Sequence, residues 1–298
     1  MTTSQPPRRR GVQSVTLLLC GAITGGFLTS AAATPAVGSP AGSSPPARTA
    51  APQALPEAPT GQQISALVRR LERQHGAHIA VAVVPVGSRQ APWSTGTFSN
   101  GPAWSTAKVP VAIAAQRRYP RDARTRARMR AAITASDNAA AEALFRSLGT
   151  NAQAAAATTR VIQDGAGRTI VPSVRKRPGY TIFGQTPWGP TNQARFTASL
   201  PCRRDAAATL ALMGQVRADQ RWGLGTIRGA RFKGGWGPDR QGRYLVRQMG
   251  VVDVKGQRLA VVIAVSGVSF ATGTRINTQL ARQVAATPPA LAKPTRRC

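Results

Sequence analysis

Acidic side chains are scarce: ten Asp plus Glu stand against 40 Lys plus Arg in 298 residues, a net charge of +30. The sign owes as much to missing acids as to added bases. Two readings fit it. One is a bias towards Arg and Ala that carries no functional meaning. The other is attraction to an anionic surface, such as a wall polymer, lipid headgroups or nucleic acid. Cysteine and histidine are scarcer still, three and two, and they lack the spacing of a zinc site. No metal and no cofactor is expected. His75 and His78 flank one helix–strand joint and read as structural or solvated. There are no repeats. Lysine is rare among the bases, five of 40, so each lysine departs from an arginine default. With 42% hydrophobic residues the chain can bury one large core or two small ones.

The first 33 residues read as an export signal: Arg8, Arg9 and Arg10, then a mostly apolar Val15–Leu28 stretch, then the small residues Ser30 to Ala33. The same uncharged stretch could remain as a membrane anchor. Leu19 before Cys20 makes a poor lipoprotein cleavage site. An extracellular or envelope location follows, anchored if the segment is kept. Cleavage would leave only Cys202 and Cys298, which can pair in an oxidising compartment; a disulfide tying the tail to the domain is expected. Residues 34–60, rich in Pro, Ala, Ser and Gly, read as a tether. A domain over 61–286 and a basic tail over 287–298 follow.

Within the domain, Ile64, Leu67, Val68 and Leu71 recur at helical spacing. Strands are expected over 78–86 and 92–98, then helices throughout 121–164. Five prolines among residues 165–201 predict a long irregular loop. A helix near 205–219, strands near 229–235, 243–254 and 257–266, and a helix near 273–285 complete the pattern. The economical arrangement is α+β: a five-stranded antiparallel sheet flanked by helices, with an inserted all-helical subdomain. A cleft between the two parts is the natural binding site. Arg121, Arg124, Arg126, Arg128 and Arg130 read as the solvated face of a helix, and export argues against nucleic acid as a partner.

Three short segments carry chemistry. Ser105-Thr106-Ala107-Lys108 places a hydroxyl and an amine three residues apart, on one helix face; Pro110 fits the first turn of that helix. A buried lysine can lose its proton and act as a base, which arginine cannot. Alone the pattern is weak, and Ser173/Lys176 repeats it in the proline-rich region. Ser136-Asp137-Asn138 could be only a helix cap, and Lys233-Gly234-Gly235 only a strand edge. Their order, Ser-x-x-Lys, Ser-Asp-Asn, Lys-x-Gly, on helix, loop and strand, resembles the serine β-lactamase and penicillin-binding protein superfamily, most of all the class A β-lactamase-like branch. The resemblance covers about residues 61–286 and implies the β-lactamase/transpeptidase-like fold. It implies Ser105 as acylated nucleophile, Lys108 as base or relay, and Ser136 as proton shuttle to the leaving nitrogen. Asn138 would border the cleft. Lys233 would hold Ser136 and the substrate carboxylate, and Gly234 and Gly235 would leave room for substrate. The amides of Ser105 and Trp236 would form the oxyanion hole.

Three departures matter. Gly165–Arg204 contains no Asp or Glu, so the glutamate that activates the deacylating water in class A enzymes has no counterpart there. Gln185, Thr191, Asn192 or Gln193 could place a water, and Asp164 is the fallback base. Lys-Gly-Gly lacks the hydroxyl that would bind the substrate carboxylate; Arg231, Arg240 or Arg247 could compensate. The short Ser105–Ser136 spacing predicts a trimmed helical part and a more open cleft. The expected function is an exported serine acyl-transfer enzyme acting on a β-lactam or peptidoglycan-like peptide, with slow or absent deacylation. The alternative is a non-hydrolytic wall-associated binding protein on the same fold, using its basic charge to hold an anionic polymer or membrane surface.

Overall fold

The computed structural model describes residues 60–294 and 298. The expected export signal or anchor and nearly all of the tether lie outside the described residues. Helix α1 (Thr60–His75) leads into β1 (His78–Pro85) and the three-residue β2 (Trp93–Thr95). A single 3-10 turn (Trp104–Ala107) runs directly into α2 (Lys108–Arg118). Four more helices follow: α3 (Ala123–Thr134), α4 (Asn138–Arg146), α5 (Asn151–Asp164) and α6 (Pro190–Ser199). After α7 (Ala207–Met213) come β3 (Arg231–Pro238), β4 (Tyr244–Val254), β5 (Gln257–Val268) and α8 (Phe270–Ala286). All strand pairs are antiparallel, in the order β2-β1-β5-β4-β3. No described helix is long and apolar enough to cross a membrane.

The sheet is covered on both faces, which explains why β1 and β5 read as nearly unbroken apolar runs. Ile79, Val81, Val83, Val261, Ile263 and Val265 pack with Ile64 and Val68 of α1 and Ile276 and Leu280 of α8. Alternate residues, Ala82, Val84, Ala260 and Val262, belong to the second core with α2, α6 and the helical block. The period-two alternation of strands distributes these side chains between the two cores. Each fully buried Val, Ile or Phe contributes about 1.5–3 kcal/mol of hydrophobic stabilisation.

The expected helical stretch 121–164 is broken twice by capping. Asp137 accepts from the Ala140 amide and starts α4. Thr150 and Gln153 form a reciprocal capping box that starts α5. The expected irregular loop over 165–201 is shorter than composition suggested, because residues 190–199 are helical. Pro190 sits in the first turn of α6, where a missing amide hydrogen costs nothing. The helix expected near 205–219 contracts to α7. Arg121, Arg124, Arg126 and Arg130 are exposed and Arg128 half-buried, as a solvated face requires.

Cys202 and Cys298 form a disulfide that closes a 96-residue separation. It ties the end of the tail to the segment after α6. Replacing Cys298 by Ser should lower unfolding stability by about 2–5 kcal/mol, read as a shift of the urea midpoint. An unchanged midpoint would mean that the tail attachment adds nothing to stability.

Candidate active site

The Ser105 segment begins with strain. Trp104 has φ +48°, a left-handed conformation that costs a non-glycine residue energy and persists only when its surroundings impose it. It turns the chain into the 3-10 turn that carries Ser105 at its second position and continues as α2 from Lys108. Pro110 falls in the first turn of α2. Ser105 is half-buried, whereas Lys108 is 1% exposed.

The Ser136 segment is the break between α3 and α4. Ser136 has φ +58°, Asp137 caps α4, and Asn138 is the first residue of that helix. The backbone reversal aims three oxygens at one amine. Lys108 Nζ donates to the Ser136 carbonyl, to Ser136 Oγ at 3.3 Å and to Asn138 Oδ1 at 2.7 Å. The capping reading of the Ser-Asp-Asn stretch thus holds for Asp137, while Ser136 and Asn138 accept from Lys108.

The third segment arrives on edge strand β3. Lys233 is fully buried, and its Nζ donates to Ser136 Oγ at 2.8 Å and to Gly234 O at 3.0 Å. Gly235 lies against the Ser105 turn. A Cβ added there would sit 2.9 Å from Ala103 O and from the amide nitrogens of Ser105 and Thr106. Only glycine allows this approach. The Trp236 amide is on the same strand, one residue on. Lys108, Ser136, Asn138 and Lys233 thus share one set of hydrogen bonds, and Gly235 lies against the Ser105 turn; Gly234 and Trp236 alternate to the opposite face of β3. Ser173 and Lys176, the competing Ser-x-x-Lys match, are exposed and outside any helix.

Burial holds the Lys108 ammonium down to about 8, against a smaller upward pull from the Asp137 carboxylate. Burial also pushes Lys233 well below the ordinary lysine range, and the Lys108 charge pushes it further the same way. Two ammonium groups sharing one hydroxyl oxygen each make the other easier to deprotonate. As the pH rises towards about 8 Lys108 becomes available as a proton acceptor, which no arginine would be.

A buried network behind the Ser105 turn escaped the sequence reading. Thr106 Oγ1 donates to Ala103 O at 2.5 Å and accepts from Gln193 Nε2 at 2.9 Å. Gln193 Oε1 accepts from Arg247 Nη2 at 2.6 Å. Arg247 also donates to the carbonyls of Gly101, Pro102 and Trp188. It is fully buried, and burial lowers its guanidinium to about 9. One arginine among 35 gives no local signal of such a role. Arg247 is also thereby withdrawn from the carboxylate-binding task considered for it; its donors face loop carbonyls.

The amide candidates for placing a deacylating water are likewise committed elsewhere. Gln185 Nε2 donates to the carbonyls of Arg177, Tyr180 and Thr181, and its Oε1 accepts from the Arg177 amide. Asn192 Oδ1 accepts from the Arg168 amide, and Thr191 is exposed. Asp164 pairs with Arg117 at 2.7 Å, and Arg117 also holds Asp205 at 2.7 Å. The two acids that flank the acid-free stretch thus meet in one ion network with Arg203. Concavities of about 520 Å³ beside Asp164 and Arg203 and about 850 Å³ beside Arg117 and Arg160 do not include Ser105. Ser105 and Ser136 are half-buried and Asn138 is exposed.

No family model matches the sequence, and no curated protein does. Solved structures match in fold. A class A β-lactamase from Bacteroides cellulosilyticus aligns over 78% of this chain and 99% of its own, with TM-score 0.62 and 15% identity. A β-lactamase from Chitinophaga pinensis aligns over 76% and 98%, with TM-score 0.61 and 16% identity. One from Sphaerobacter thermophilus aligns over 77% and 99%, with TM-score 0.58 and 18% identity. The fold is that of the class A β-lactamases, as the motif resemblance implied.

The contrast between two adjacent glycines is testable. Gly235→Ala should destabilise by about 1–3 kcal/mol, because its methyl meets backbone on three sides. Gly234→Ala should change stability by less than about 1 kcal/mol, since a Cβ there meets only indole carbons at 3.4–3.6 Å. Urea denaturation of both variants makes the comparison; equal effects would refute the close approach of β3.

Proposed function

We propose that this chain uses its β-lactamase fold as an exported serine acyl-transfer enzyme, with Ser105 as nucleophile and a β-lactam or peptidoglycan-like peptide as acyl donor. The observation that carries the reading is the placement of Ser136 Oγ between Lys108 and Lys233, beside the turn that holds Ser105. In the forward step the Ser105 hydroxyl proton passes to neutral Lys108 as Oγ bonds the carbonyl carbon. The amides of Ser105 and Trp236 receive the charge on the oxygen. The C–N bond then breaks, and its nitrogen takes a proton from Ser136 Oγ, which is replenished from the lysine pair. Asn138 fixes the Lys108 amine through its side-chain oxygen.

Deacylation is the weak step in this scheme. No carboxylate among residues 165–204 can activate water, and the amides that could have placed one are bonded elsewhere. The acyl-enzyme therefore accumulates. Incubation with a labelled penicillin should give a stable adduct on Ser105 by mass spectrometry, absent in Ser105→Ala, with slow or no hydrolysis. An unmodified wild-type chain that hydrolyses nothing would sink the acyl-transfer reading. Retained affinity without any adduct would instead favour a non-hydrolytic binding protein.

The proton acceptor gives a second prediction. Because Lys108 titrates at about 8, its neutral fraction, and with it the rate of adduct formation, should rise with pH through about that value. Lys108→Arg should lower the rate by about 10²–10⁴-fold. A pH-independent rate in the wild-type chain would remove Lys108 from the base role.

A further inference from the structure

The two hollows that exclude Ser105 adjoin each other. One, of about 850 Å³, includes Arg117, Arg118, Arg146 and Arg160 in its lining; the other, of about 520 Å³, includes Arg89, Arg195, Arg203 and Asp164. Arg117 of the first bonds Asp164 of the second at 2.7 Å, so this ion pair marks the boundary. Helix α5 supplies a floor common to both. Gln153, Ala156, Ala157 and Arg160 line the first hollow, Gln163 and Asp164 the second. These positions recur every three or four residues, which puts them on one helix face. At the helical rise that face is about 16 Å long.

Charge along this track is lopsided: seven arginines line it against one acid. Asp164 is paired with Arg117, and Asp205 holds Arg117 and Arg203. Arg89, Arg118, Arg146, Arg160 and Arg195 make no ion pair among the described residues. The first four are exposed and Arg195 is half-buried. A concave wall of one sign focuses its field on whatever enters it.

We propose that this track binds a linear phosphodiester polymer without bases, of the poly(glycerol phosphate) kind. Guanidinium groups bond phosphate oxygens through a fixed fork of donors. Their spread along α5 matches a chain of repeated anions and not one small ion. Among the described residues that line the hollows, Tyr119 is the one aromatic ring, and the Arg118 guanidinium lies over it at 5.7 Å. No free platform is left for stacking nucleic-acid bases. A bilayer surface is flat and does not follow a concave track. The track shares no lining residue with the Ser105 site, so the proposal stands apart from the acyl-transfer reading.

The test titrates the full wild-type chain against fluorescently labelled poly(glycerol phosphate) over a series of salt concentrations, read by anisotropy. Affinity should fall with salt, log K against log salt having a slope of about −3 to −4 for five arginines on a single-chain polyanion. Arg146→Gln with Arg160→Gln, in one hollow, and Arg89→Gln with Arg195→Gln, in the other, should each cost about tenfold in affinity and make the slope shallower by about 1 to 2. Arg69→Gln with Arg70→Gln removes the same charge from exposed positions on α1 outside both hollows. That pair should cost less than about twofold, because screening confines the effect to nearby charges. Two track pairs are used so that a folding defect in one leaves the other decisive. Absence of binding, or a loss in the α1 pair equal to that in the track pairs, overturns the proposal. Tighter binding of a single-stranded oligonucleotide of equal charge, or of anionic phospholipid vesicles, overturns it too and gives the track to nucleic acid or to a membrane. A chain that forms no Ser105 adduct should show the same binding ratios.

Discussion

Ser136 Oγ lies 3.3 Å from one lysine amine and 2.8 Å from another, and both amines are buried. Two like charges held against one oxygen without a carboxylate in hydrogen-bond reach are expensive to keep ionised. The cost is lowered if a proton leaves. That constraint explains why lysine is used here in a chain that otherwise prefers arginine: an ammonium can become a neutral amine near neutral pH, and a guanidinium cannot. Asp137, the nearest acid in sequence, caps α4 with its side chain and only partly offsets the effect.

The geometry around that oxygen depends on two left-handed residues and one missing side chain. Trp104 and Ser136 hold φ values near +50°, each at the point where a helix must start in a particular direction. Gly235 lets edge strand β3 press on the Ser105 turn. The strain is sustained by what lies behind it: Thr106, Gln193 and Arg247 form a buried relay that joins the turn to α6 and to the carbonyls of Gly101, Pro102 and Trp188. Arg247 is an uncompensated buried cation in charge terms, but its fork satisfies four acceptors. Its Nε is left without a partner.

Acid scarcity shapes the molecule as much as the basic excess does. The few carboxylates near the helical block serve as staples. Asp205 accepts from Arg117 and Arg203, and those guanidinium groups hold it at about 2 despite the opposing pull of burial. The acid-free segment that follows α5 is charge-paired at its end, through Arg203, and is otherwise organised through Gln185 and through Arg177, which stacks on Tyr180 at 4.4 Å and donates to carbonyls at the end of β3. A segment built from amides and guanidinium groups can shape a site, but it has no group able to take a proton from water at neutral pH.

What the residues alone determined was whatever depends on short-range pattern. The unbroken β-branched runs of β1 and β5 and the spacing of Ile64, Val68 and Leu71 are local, and they sufficed for the sheet and its helices; the polar groups of the candidate site were named only through the resemblance carried by the order of three motifs. The pairing of Cys202 with Cys298 followed from there being little else to pair. Local pattern failed where a residue has two compatible uses. Pro190 serves a helix start as well as a loop, and Gln185 and Gln193 look alike until one is seen bracing a loop and the other bracing the Ser105 turn. The role of Arg247, the indoles beside Gly234 and the diversion of Asp164 to Arg117 were decided only by the tertiary structure. Each depends on which distant backbone carbonyl, ring or cation comes within a few ångströms, and packing, not sequence spacing, sets that distance.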